Sequence, residues 1–79
     1  MKIETKLFFD FAEYLPPGSK NRTAYIPLEE GTTVQGLLES LGLPPQMPKS
    51  ILVNGVRADS ETELQENDSV AIFPPMAGG

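Results

Sequence analysis

The sequence has no cysteine and no histidine. The first absence excludes a disulfide framework and any thiolate metal site. The second removes the side chain that most often serves as general base and as zinc ligand. Basic residues are also few, six Lys and Arg against eleven Asp and Glu, for a net charge of −5. Phosphate contacts need cations, so a nucleic-acid binder is not expected. No Gly-rich phosphate loop of the Walker type is present. The opening MKIETKLFF holds no long apolar run, so it reads as neither a signal peptide nor a membrane span, and a cytoplasmic protein is expected. Seventy-nine residues make one small domain, which buries only about 60–65% of its extended surface and depends on good packing.

What is present is periodic. Ile3, Thr5, Leu7 and Phe9 alternate with Glu4, Lys6 and Phe8, the period of a strand with one face in a core. LPPGSKN reads as a turn or loop, and RTAYIPL as a second strand. Pro27 cannot donate to a ladder, which favours a sheet edge or a strand end. In GTTVQGLLESLGLPP, Val34, Leu37, Leu38 and Leu41 recur at i, i+3, i+4 and i+7, one face of a helix. Thr32 to Gln35 fits a capping box, Gly42 a left-handed stop, and Pro44 bars continuation. Gly36 inside the helix points to a close approach. In ILVNGVRA, Asn54-Gly55 signals a hairpin turn, with Ile51 and Val53 on one face and Leu52 on the other. Leu64 is expected to plug the core, and Asn67 to take positive φ in the turn QEND. SVAIF is the last strand, with Val70 and Ile72 inward and Ala71 and Phe73 outward.

One helix laid across a mixed sheet of four to five strands is the economical way to bury these faces. The expected fold is therefore α+β, a ubiquitin-like β-grasp, with the domain at 1–75 and a flexible tail at 76–79. Phe8, Leu52 and Phe73 then lie on the sheet face away from the helix. Three large apolar side chains clustered there make a patch suited to a partner. The ending FPPMAGG looks specified. Pro74-Pro75 stops the sheet and holds an extended stalk. Gly78 and Gly79 lack Cβ atoms, so such an end can enter a narrow channel with its carboxylate free on every side. With no catalytic constellation in the chain, the reactive group would be that carboxylate, acted on by another protein.

In LFFDFAEYL, TTVQGLLESLG, ILVNG and END-VAIFPPMAGG the chain resembles the ubiquitin-like sulfur carriers of the MoaD/ThiS family across essentially its full length. Pro74-Pro75 makes it most similar to the branch that supplies the small subunit of molybdopterin synthase. The resemblance implies an E1-like activating enzyme that adenylates the Gly79 carboxylate with ATP, and a sulfur donor that converts it to a thiocarboxylate. It also implies a large synthase subunit whose active site receives the tail. The chain itself would be a non-catalytic carrier with no bound cofactor or metal, Gly78 permitting threading and Pro74, Pro75 and Met76 lying against the partner. Phe8 and Phe73 match docking positions of the family, and Leu52 matches the centre of ubiquitin's recognition patch. Arg57 stands where relatives can carry an aliphatic docking residue, and Asn67 where the family commonly has Gly. Other readings stay open at this point: a thiamine-pathway or other sulfur carrier, a modifier that forms isopeptide bonds through Gly79, or an adaptor with an idle tail.

Overall fold

The computed structural model describes residues 1–75; the expected tail at 76–79 lies outside the described residues. The alternation of KIETKL becomes strand β1, Lys2–Leu7. Ile3, Thr5 and Leu7 are fully buried, and the Thr5 hydroxyl, the one buried polar side chain among the described residues, donates to the Ile3 carbonyl at 3.2 Å. The period of two then breaks. Phe9 takes a left-handed φ of 56° and starts a 3-10 helix, Phe9–Tyr14. Alternation places Phe9 inside, but it is 76% exposed. Phe11 fills the core instead, its amide donating to the Phe8 carbonyl at 3.1 Å. A rise of three residues per turn has replaced the strand's two, so the inward position moves along the chain.

Strand β2, Thr23–Pro27, pairs antiparallel with β1 and forms one edge of the sheet, with Pro27 at its end. Helix α1, Val34–Leu41, starts one residue later than the capping-box reading. Thr33 is the N-cap and accepts from the Gly36 amide at 3.4 Å. Gln35 does not reach back; its side-chain amide donates to Glu39 at 3.2 Å. The Val34 and Gln35 amides donate instead to the Thr62 and Ser60 carbonyls, both at 2.9 Å. A distant loop thus satisfies the first-turn donors that a capping box would have served. The close approach expected at Gly36 is local, not to another element: a Cβ there would stand 2.6 Å from Cγ2 of Thr32, just before the N-cap.

At the other end Gly42 stops the helix at φ 79°. Its amide donates to Glu39 and the Leu43 amide to Leu38, the paired bonds of a Schellman ending. Leu41 is only half-buried, and Leu43, just past the cap, enters the core in its place. Strands β3, Ser50–Val53, and β4, Val56–Arg57, form the Asn54-Gly55 hairpin, with both turn residues at positive φ. Leu64 is buried as expected, and Asn67 takes φ 72°.

Strand β5, Ser69–Phe73, inserts between β1 and β3, giving the order β2-β1-β5-β3-β4. It runs parallel to β1 and antiparallel to β3. Val34 and Leu37 of the helix share one buried cluster with Ile3, Leu7, Ile26, Ile51, Val70 and Ile72 from the sheet. This is the α+β arrangement of a ubiquitin-like β-grasp. Among the described residues, no helix is long and apolar enough to cross a membrane.

Candidate functional site: the outer sheet face

The core takes every second residue of each strand, which leaves the others on the opposite face. The registers fix their neighbours. Lys6 stands opposite Thr23 on one side and Ala71 on the other. Ala71 stands opposite Leu52, and Leu52 opposite Arg57. Thr23, Lys6, Ala71, Leu52 and Arg57 therefore form one row across all five strands. Phe73 stands opposite Ser50, one step further along this face.

Phe8 extends the parallel pairing by one residue, its amide donating to the Ile72 carbonyl at 3.0 Å. Because β1 and β5 run the same way, the ends of both strands lie at one margin of the sheet. The Phe8 and Phe73 rings meet there edge to face, with centroids 6.0 Å apart and planes at 83°. Both side chains are half-buried, so each rests on the sheet and still presents area outward. Leu52, also half-buried, is a diagonal neighbour of Phe73 across β3–β5, within the reach of an aromatic ring. The structure thus brings Phe8 and Phe73 into contact and places Leu52 on the same face.

Pro74 and Pro75 follow Phe73 directly, half-buried and exposed respectively. Neither can donate to the ladder, so the chain leaves the sheet beside the aromatic pair. Met76, Gly78 and Gly79 lie outside the described residues. Phe9, which alternation assigned to the core, is the large exposed residue beside Phe8. Its signal in the sequence is the doubled aromatic itself, since two adjacent residues of a strand cannot both face inward.

At the opposite margin of the face, Glu4 accepts from the Ser69 hydroxyl at 2.7 Å and from the Tyr25 hydroxyl at 3.3 Å. The Ser69 bond, with smaller contributions from Lys6 and Tyr25, holds its carboxyl below the ordinary carboxylate value against a desolvation effect that raises it. No cluster of His, Asp and Glu that could hold a metal ion occurs among the described residues. A recess lined by the Pro16–Asn21 loop, Lys6 and Tyr25 does not include the aromatic pair.

Three observations thus converge: the β-grasp topology, the aromatic pair where the last strand ends, and the Pro-Pro exit. Solved structures share this fold over nearly the whole chain. SAMP1 from Haloferax volcanii is 28% identical with a TM-score of 0.73, covering 100% of both chains. A second structure of H. volcanii small archaeal modifier protein 1 is 29% identical with a TM-score of 0.74, covering 95% of this chain and 98% of that one. A putative molybdopterin converting factor, subunit 1, from Pyrococcus furiosus is 26% identical with a TM-score of 0.77, over the same shares. No curated protein matches by sequence. The ThiS family model matches residues 15–79, and the chain belongs to the ThiS family, whose members are ubiquitin-like sulfur carriers.

Proposed function

We propose that this protein carries sulfur for molybdopterin synthesis, and that Gly79 is the group that carries it. An E1-like enzyme binds the outer sheet face, and the Gly79 carboxylate attacks the α-phosphate of ATP, releasing pyrophosphate. A donor of sulfide-level sulfur then attacks the acyl carbon, displaces AMP and leaves a thiocarboxylate. The loaded tail enters the large subunit of the synthase, where the sulfur passes to a pterin precursor. Gly78 would let the tail thread a narrow channel, Pro74-Pro75 keep its root extended, and Met76 is assigned to partner binding. Phe8, Leu52 and Phe73 dock the domain. Activation needs ATP, which fits a cytoplasmic protein.

The observation that carries this reading is the Phe8–Phe73 contact at the point where Pro74 leaves the sheet. It sets an apolar anchor at the root of the segment that leads to Gly79, where docking energy can hold the domain against a partner. The likeness to the P. furiosus subunit supports the pterin branch.

The archaeal modifier proteins among the similar structures favour a second reading, in which the same adenylated Gly79 passes to lysines of other proteins. Intact mass separates the two after coexpression with the E1-like enzyme and sulfur donor of the same genome. Exchange of one oxygen for sulfur adds about 16 Da and supports the carrier. Bands shifted by the mass of this chain on larger proteins support the modifier. The chain lacking Gly79 should give neither product; sulfur loading of that chain would remove Gly79 from the mechanism.

A further inference from the structure

The net charge of −5 is not spread evenly. The outward strand positions carry Lys2, Lys6 and Arg57 against the single carboxylate of Glu4. This face is therefore cationic on an acidic protein. The other carboxylates lie outside the strands, in the 3-10 helix, in α1 and in the connecting loops.

Two of the cations have a particular placement. Lys6 and Arg57 stand at the two ends of the run Lys6, Ala71, Leu52, Arg57. Three strand spacings separate them, about 14 Å between backbones. Ala71 and Leu52 fill the interval. Both cations are exposed. The only ion pair among the described residues joins the Met1 ammonium to Glu66, so among them neither Lys6 nor Arg57 forms an ion pair, although Lys6 is near enough to Glu4 to help hold its carboxyl low. Glu4, the one acid on these strands, is occupied by Ser69 and Tyr25.

We propose that this row reads a protein partner with an acidic docking face: an apolar strip that meets Leu52 and Ala71, flanked by carboxylates opposite Lys6 and Arg57. The inference rests on the proposed use of the outer face in docking and names the chemistry of the surface it fits. The apolar centre supplies contact area. The flanking cations set the register along the row and speed encounter. The acidic remainder of the surface repels the same partner in wrong orientations, so a chain of net negative charge still binds an acidic protein by one face.

The test measures ATP–pyrophosphate exchange by the E1-like enzyme of the same genome, with this chain as substrate. KM for wild type should rise as ionic strength goes from about 0.05 to 0.3 M, because screening weakens exposed charge pairs. Lys6→Glu and Arg57→Glu should each raise KM at least about tenfold at low salt with kcat unchanged. Lys6→Arg should restore it. Lys49→Glu is the control: it changes net charge equally but sits beside Leu38 and Leu43 on the helix side. Circular dichroism verifies that each variant is folded. A KM that is flat with salt, or that rises as much for Lys49→Glu as for the face variants, overturns the acidic-partner inference and leaves the carrier reading intact. Absence of any exchange with wild type overturns both.

Discussion

Replacing Phe73 with Ala separates a docking residue from a core residue, because its neighbour Ile72 provides the comparison on the same strand. Ile72 is fully buried, and truncating such a residue costs about 2–5 kcal/mol. Phe73 is half-buried and loses its edge-to-face contact with Phe8, about 0.5–1.5 kcal/mol beyond area. Adding the partial loss of burial gives a folding cost near 2 kcal/mol at most, since a fully buried Phe would cost about 3–5. For a domain of this size each kcal/mol lowers Tm by about 4–8 °C. Binding should respond differently. A buried aromatic anchor at an interface contributes about 2 kcal/mol or more, which is roughly a thirtyfold loss of affinity. Thermal melting and calorimetric titration against the E1-like enzyme at 25 °C supply both numbers for Phe73→Ala and Ile72→Ala. The expected pattern is a smaller melting shift than for Ile72→Ala, with a large affinity loss, for Phe73→Ala. Ile72→Ala should show a large melting shift with nearly unchanged affinity of the folded fraction. Equal melting shifts, with affinity preserved in the Phe73 variant, would refute the docking role.

Thr33→Ala should lower stability by about 1 kcal/mol through loss of the N-cap, while Thr32→Ala, whose hydroxyl donates to the Glu29 carbonyl outside the helix, should cost less; denaturant titration of the pair checks which threonine caps the helix. Ser69→Ala should raise the Glu4 pKa by removing the 2.7 Å bond that lowers it. A depressed carboxyl pKa stabilises the fold above the ordinary value of 4.5 and loses that contribution as pH falls through the folded value. The wild-type advantage over Ser69→Ala should therefore be present at neutral pH and shrink below 4.5, as read by melting across pH.

Local signals were readable in the sequence where the structure satisfies them locally. Gly42 stops the helix with its own backbone bonds, and Asn54-Gly55 turns because both residues tolerate positive φ. The inward and outward assignments of Val70, Ile72 and Phe73 needed only the period of a strand. Readings failed where a distant segment took over. The capping box is displaced because carbonyls of Ser60 and Thr62, some 25 residues away in chain order, receive the first amides of α1. Phe9 escapes the alternation because the strand gives way to a 3-10 turn, which the FDFAEY stretch does not announce. The candidate site divides the same way. That Phe8, Leu52 and Phe73 face outward follows from spacing. That Phe8 touches Phe73, and that Lys6 and Arg57 bracket Leu52, follows from β5 inserting between β1 and β3, a pairing no local pattern encodes.

The parallel pairing of β1 with β5 has a consequence in time. Glu4 and Ser69, neighbours across that pair and 65 residues apart in the chain, can meet only after everything between them has been synthesised. Closing such a loop is among the later and slower events of folding. The platform formed by Phe8 and Phe73 therefore comes into existence with the last strand and not before. An unfinished or misfolded chain has no such platform, so a partner that recognises it receives only chains whose first and last strands have found each other. If partners dock on Phe8 and Phe73 as proposed, the topology would act as a proofreading step that admits only folded molecules to the chemistry.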